Sequence, residues 1–166
     1  MTDFAWLKDV LTMGPGVGGF VLGIFNFTHA RNGQRVRLRV LPKAAYELEG
    51  RILSAVRMSA NTPDGPPDLI CLEVTNLSNF PITVSDAGFT MGGKIGKTAR
   101  RAILQPILLD GGRWPRRLEA RTSVSLYARY SSLAPDIRKA YVETDCGEVA
   151  YGDSPALETV RSLLAA

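Results

Sequence analysis

LICLEVTNLSNFPITVSDAGF, residues 69–89, is the stretch whose reading decides the fold. From Leu69 to Thr75 apolar residues alternate with others, which is the two-residue period of a half-buried strand. That period puts Cys71 on the face of Glu73, the outward one. Asn76 to Phe80 reads as a turn. Pro81 then opens a second strand where no backbone donor is needed, and Ile82 and Val84 alternate inward up to Phe89.

Working outward, the same pattern recurs. Arg35 to Leu41 alternates charge and aliphatic residues, with Val36, Leu38 and Val40 inward, and Arg51 to Met58 is a second strand. Asn61 to Asp68 holds Pro63, Pro66, Pro67 and Gly65, so it is a loop. Past Phe89, Gly92 to Thr98 is a turn. Pro106 makes Ala102 to Leu109 an edge or broken strand, and Gly111 to Pro115 turns again. Thr122 to Tyr127 is a strand with Val124 and Leu126 inward, and a helical turn spans Ser131 to Asp136. Ile137 to Thr144 and Glu148 to Tyr151 close as a hairpin. Ser154 before Pro155 starts a short C-terminal helix over Ala156 to Ala165. About seven strands separated by Gly and Pro turns predict a mainly β chain, an antiparallel β-sandwich. The divisions are residues 1–31, a hydrophobic helix; 32–152, the β domain; and 153–166, the terminal helix.

LEVTNLSNFPITVSDAGF (72–89), LEARTSVSL (118–126) and IRKAYVETDCGEVAYG (137–152) together resemble small bacterial proteins of uncharacterised role. These carry an immunoglobulin-like or fibronectin-III-like domain, several behind an N-terminal hydrophobic helix. The resemblance covers residues 35–152 and implies an immunoglobulin-like sandwich and a tether, not a ligand. Ala120 stands where that group often has a glycine turn. Tyr141 and Cys146 are five apart, so the two-residue spacing of an antibody-type tyrosine corner is absent.

Composition agrees with a packed domain: 45% of the 166 residues are hydrophobic and 22% charged. The net charge of +4 is unevenly placed. Arg31, Arg35, Arg37, Arg39 and Lys43 form one basic group; Lys94, Lys97, Arg100 and Arg101 a second; Arg113, Arg116, Arg117 and Arg121 a third. Such groups fit an anionic surface, lipid or nucleic acid, or simply solvated strand faces. Cys71 outward and Cys146 in a hairpin turn cannot bridge two sheets, which predicts free thiols in a reducing compartment.

Val10 to Ala30 is a 21-residue run without formal charge. As a helix it is about 31 Å long, against roughly 30 Å of bilayer hydrocarbon. Nine Val, Leu, Ile and Phe residues in it contribute roughly −3 to −5 kcal/mol toward insertion, opposed by five glycines, Pro15 and Asn26. Asp3, Lys8 and Asp9 leave no positive leader of a signal peptide. Cations after residue 30 outweigh Lys8, so a spanning helix would keep the C-terminal domain in the cytoplasm. Gly14 with Gly18, and Gly19 with Gly23, have small-xxx-small spacing for helix–helix packing into a homo-oligomer. The alternative is a soluble chain whose apolar helix packs on the domain or within an assembly.

Motifs for chemistry are weak. Gly14–Gly19 fits G-x-G-x-x-G but lacks the preceding strand and the following acid of a dinucleotide site. Gly92–Thr98 is one residue short of a phosphate loop, and Pro106 opposes a long helix after it. His29 is the only histidine, which disfavours multi-histidine metal sites and a Ser-His-Asp triad. Asn61, Asp64 and Asp68 lack the EF-hand order, and Asp145, Glu148 and Asp153 flank an exposed hairpin. Neither an enzyme nor a cofactor is expected. Arg113-Trp114-Pro115-Arg116-Arg117 is the one aromatic in a basic group, able to stack a base, anchor a protein, or plug the end of a sandwich. The expectation is a membrane-tethered cytoplasmic module that binds a protein through loops or an edge strand. Arg35, Arg37, Arg39, Arg113, Trp114, Arg116 and Arg117 are its candidate contacts to a partner or to anionic lipid. The alternatives are a soluble assembly component and, from another class, a nucleic-acid-binding accessory protein.

Overall fold

The computed structural model describes residues 35–57, 65–92 and 100–165. The Val10–Ala30 run with Gly14, Gly18, Gly19, Gly23 and His29, the first half of the Asn61–Asp68 loop and most of the Gly92–Thr98 turn lie outside them. Among the described residues nine strands, β1 Leu38–Leu48, β2 Arg51–Ala55, β3 Leu69–Asn76, β4 Ile82–Met91, β5 Arg100–Ile103, β6 Arg116–Leu118, β7 Ser123–Arg129, β8 Ile137–Thr144 and β9 Val149–Gly152, precede one helix, α1 Pro155–Leu164. A short 3-10 turn covers Tyr130–Ser132.

The strands form two antiparallel sheets, ordered β2-β1-β3-β7 and β5-β4-β8-β9, with β6 also paired to β4. The β3–β4 stretch behaves as its alternation predicts. Ile70, Leu72, Val74, Val84 and Phe89 meet Val124, Leu126, Ala140 and Val142 in one apolar core contributed by both sheets. The turn between β3 and β4 is held by the buried Asn76. Its amide donates to the carbonyls of Phe80 (2.8 Å), Glu119 (3.1 Å) and Leu118 (3.3 Å), and its Oδ1 accepts from Ser78 N (2.8 Å). Both donors of the buried side-chain amide, and its oxygen, thereby find partners inside the protein.

Three expectations change. β1 was expected to end at Leu41 but runs to Leu48, through Pro42. The strand tolerates proline because β2 pairs with β1 only from Ala44 to Leu48, so Pro42 faces a flank with no ladder bond to lose. β1 and β2 join through Glu49 (φ 48°) and Gly50 (φ 75°), the two positive φ angles of a tight hairpin turn with the twist of its strands. Second, β6 was read as an exposed basic stretch, yet Arg116–Leu118 pairs with Ile82–Val84. After β5 the chain leaves the second sheet, touches the edge of the first through an Ile107–Tyr127 bridge, and returns as β6. Third, Cys71 lies on the outer face, in register between Lys43 and Tyr127, but is buried rather than exposed. Its thiol pKa is raised by burial, against the lowering effect of hydrogen bonds with Ser125 and Tyr127. Period-two reasoning fixes the face of a small residue but not its cover, which long neighbours supply.

α1 forms as its N-terminus predicts: Ser154 Oγ accepts from Leu157 N at 3.1 Å and Pro155 occupies the first turn. Leu157 and Val160 enter the main core, and Ala156 packs on Ala44 and Tyr46. Gly152, at the end of β9, lies against β1 so closely that a Cβ there would stand 2.1 Å from the Val40 carbonyl oxygen. Only glycine permits that approach. Among the described residues no helix is long and apolar enough to cross a membrane.

Candidate functional site: a groove across the end of the first sheet

β1 and β2 extend past the core as a hairpin, and the chain's excursion after β5 lies on the far side of β7. Between them, on the outer face of the first sheet, is a groove of about 470 Å³. It is lined by Ile52, Leu69, Pro67, Ile107 and Leu109, with Glu47, Asp68, Arg129, Tyr130 and Ser131. The register explains the floor: Glu47 faces Ile52, and Leu69 faces Arg129. Asp68 Oδ2 accepts from Glu47 N at 2.9 Å and the Asp68 carbonyl accepts from Tyr130 N at 3.0 Å, tying the rim of the groove to both β1 and β7. Ile107 and Leu109 are 43% and 58% exposed at the rim of this concave surface. The volume is within the range of ordinary ligand sites, and the lining is divided evenly between five apolar residues and five polar or charged ones. Glu47 and Arg129 form no ion pair among the described residues.

The residues singled out from sequence divide into two sets. Arg35, Arg37 and Arg39 are exposed at the opposite end of β1 from the groove. Arg113 is exposed, but Trp114, joined to Pro115 by a cis bond, is half-buried and packs against the main core. Arg116 binds Asp110 at 2.6 Å and Arg117 binds Glu119 at 3.1 Å, so two of the three arginines flanking the indole have carboxylate partners. The basic-aromatic group is therefore largely neutralised by its own loop.

Two polar clusters hold the outer faces of the sheets. On the second, the buried Tyr141 hydroxyl donates to Asp86 Oδ2 at 2.9 Å, its ring lies 4.8 Å under the Arg101 guanidinium, and Arg101 pairs with Glu143. Burial first, and then the Asp86 carboxylate, push the Tyr141 pKa far above the ordinary tyrosine value. On the first, Lys43 pairs with Glu73 beside the covered Cys71. Neither cluster opens onto the groove. Among the described residues no group of three or more His, Cys, Asp or Glu side chains could hold a metal ion.

Sequence reading did not find the groove residues. Ile107, Leu108 and Leu109 are three consecutive aliphatics behind Pro106, too many for a single buried side of a broken strand, and that was the available signal. No protein-family model matches the chain, and neither a curated protein nor a solved structure matches it.

Proposed function

We propose that this chain is a non-catalytic interaction module, tethered to a membrane by its Val10–Ala30 run, which receives an extended segment of a protein partner in the groove of the first sheet. The observation that carries the reading is the exposure of Ile107 and Leu109 beside the apolar floor of Ile52 and Leu69. Aliphatic side chains left in water at a concave surface gain about 25 cal/mol per Å² when a partner covers them. An extended segment suits the groove because it lies open across four strands, with Glu47, Asp68 and Arg129 to satisfy polar groups beside an apolar anchor. The strand orders β2-β1-β3-β7 and β5-β4-β8-β9 around one core support an immunoglobulin-like arrangement. Pairing of Arg116 and Arg117 with carboxylates disfavours the nucleic-acid reading at that loop.

A photocrosslinking residue at Leu109 of the full chain is expected to give one dominant protein adduct, lost when Ile52→Asp fills the floor with charge. The same residue at Ile103, exposed on the other sheet, serves as control. Equal yields from both positions would remove the groove as the docking site. Carbonate-resistant pelleting checks the tether separately, and complete recovery in the soluble fraction without detergent refutes it.

A further inference from the structure

We propose that the end of the domain where β1 begins is a docking face for anionic phospholipid headgroups, which holds the partner groove on the side away from the membrane; this rests on the tether reading. Arg37, Arg39 and Arg121 are exposed there. Arg37 and Arg121 are anchored on one turn. Arg37 N donates to Ser78 Oγ at 2.8 Å, the Arg37 carbonyl accepts from Leu77 N at 2.8 Å, and Arg121 Nη2 donates to Asn79 Oδ1 at 2.8 Å. Asn79 is neutral, so the Arg121 charge is positioned without being cancelled. Arg39 is in register with Thr75, and Thr75 with Ser123, placing two hydroxyls beside a guanidinium on the outer face. Arginines with hydroxyl donors are the chemistry that binds phosphate oxygens.

The surroundings distinguish this end. Lys43, Arg101, Arg116 and Arg117 each sit on a carboxylate, whereas Arg37, Arg39 and Arg121 form no ion pair among the described residues; Arg51 and Arg129 form none either, but they stand at the groove end with Glu47, Glu49 and Asp68. The nearby acids Glu73 and Glu119 are already engaged by Lys43 and Arg117; Asp145, in the small cavity with Val36, and Glu148 in the same β8–β9 turn also lie toward this end, so three arginines stand against two carboxylates outside any ion pair among the described residues. Chain length then bounds the distance. Arg35 is five residues past Ala30, a reach of at most about 17 Å, and Arg39 is at most about 30 Å away. The tether thus keeps these cations near enough to meet the bilayer surface, where contact with anionic lipid is favourable. Glu47 and Asp68 lie at the far end of β1, about 26 Å beyond Arg39 at the rise of a strand, and an anionic surface repels them. Attraction at one end and repulsion at the other favour a single upright orientation.

The test uses the native thiols. Cys146 is exposed near this end, in a small cavity with Val36 and Phe80, whereas Cys71 is buried, so a thiol-reactive donor dye labels Cys146. The full chain is reconstituted into phosphatidylcholine vesicles with or without about 30 mol % phosphatidylserine, with an acceptor on a trace headgroup. Energy transfer is expected to be higher with phosphatidylserine. It should fall to the neutral-lipid level in the Arg37→Gln, Arg39→Gln, Arg121→Gln variant, or in about 0.5 M salt. The ratio of docked to undocked domain should drop roughly five-fold per arginine, about a hundred-fold for all three. Equal transfer in both lipids, or no response to the triple variant, overturns the proposal while leaving the tether intact. Failure of the chain to float with either vesicle refutes the tether and the docking together. Binding of a single-stranded oligonucleotide that needs the three arginines, with transfer indifferent to phosphatidylserine, assigns the face to nucleic acid and overturns the lipid proposal.

Discussion

Replacing Tyr141 with phenylalanine removes one oxygen and nothing else. That oxygen is buried and donates at 2.9 Å to Asp86 Oδ2, while the other Asp86 oxygen accepts from Ala87 N at 2.8 Å. A hydrogen bond to a charged acceptor contributes about 1.5–3 kcal/mol. Asp86 is only half-buried, so water can replace part of the lost bond, which places the expected cost near the lower figure, about 1.5 kcal/mol. The Arg101 guanidinium keeps the ring beneath it in either protein. Urea unfolding at neutral pH should show the shift in midpoint at unchanged slope. A pH series tests the cause. The folded pKa of Tyr141 is raised, so the unfolded chain loses the phenolic proton first. The stabilisation is complete below the ordinary tyrosine pKa, and it is lost as pH rises from there through the folded value. Within that window wild type should lose about 1.4 kcal/mol per pH unit from this group, and the variant should lack that component. Midpoints agreeing within about 0.5 kcal/mol at neutral pH, with parallel curves above pH ~10, would show that the Tyr141–Asp86 bond does not matter.

Asn76→Ala should be more severe, about 3 kcal/mol, because it orphans the Ser78 amide and up to three carbonyls that its side chain satisfies; a loss under about 1 kcal/mol in urea would refute that account. A thiol reagent should titrate Cys146 within the mixing time and Cys71 only on unfolding, since the one is exposed and the other is covered with a raised pKa. Two rapid equivalents in native buffer would contradict the burial of Cys71.

The parts of the fold that could be read in advance are those where one strand side is uniformly apolar. Ile70, Leu72 and Val74, or Val124 and Leu126, announce their strands because no other arrangement hides them. Helix α1 was equally plain, from Ser154 and Pro155. The upper half of β1 was not, because Ala44 and Ala45 carry almost no side-chain signal and a proline precedes them. β6 is three residues long and two are arginines, so its pairing to β4 comes from position alone. The groove was least legible. Its floor and rim join Glu47, Ile52, Leu69, Ile107 and Arg129, spread over most of the domain's length, and no local period marks residues that meet only after two sheets have formed. The basic loop misled for a simpler reason: Arg116 was counted without Asp110, six residues before it.

Pro42 and Gly152 have an effect outside the single molecule. Beyond the last β2 pair no strand ladders onto the flank of β1, a stretch of backbone on which a neighbouring chain could add a strand and seed aggregation if it were bare. Two devices close it: the ring nitrogen of the buried Pro42 carries no hydrogen, and Gly152 lets β9 sit down on the Val40 carbonyl. A bulkier residue at position 152 would lift β9 from that flank, and crowded copies of the protein would then be expected to clump along it.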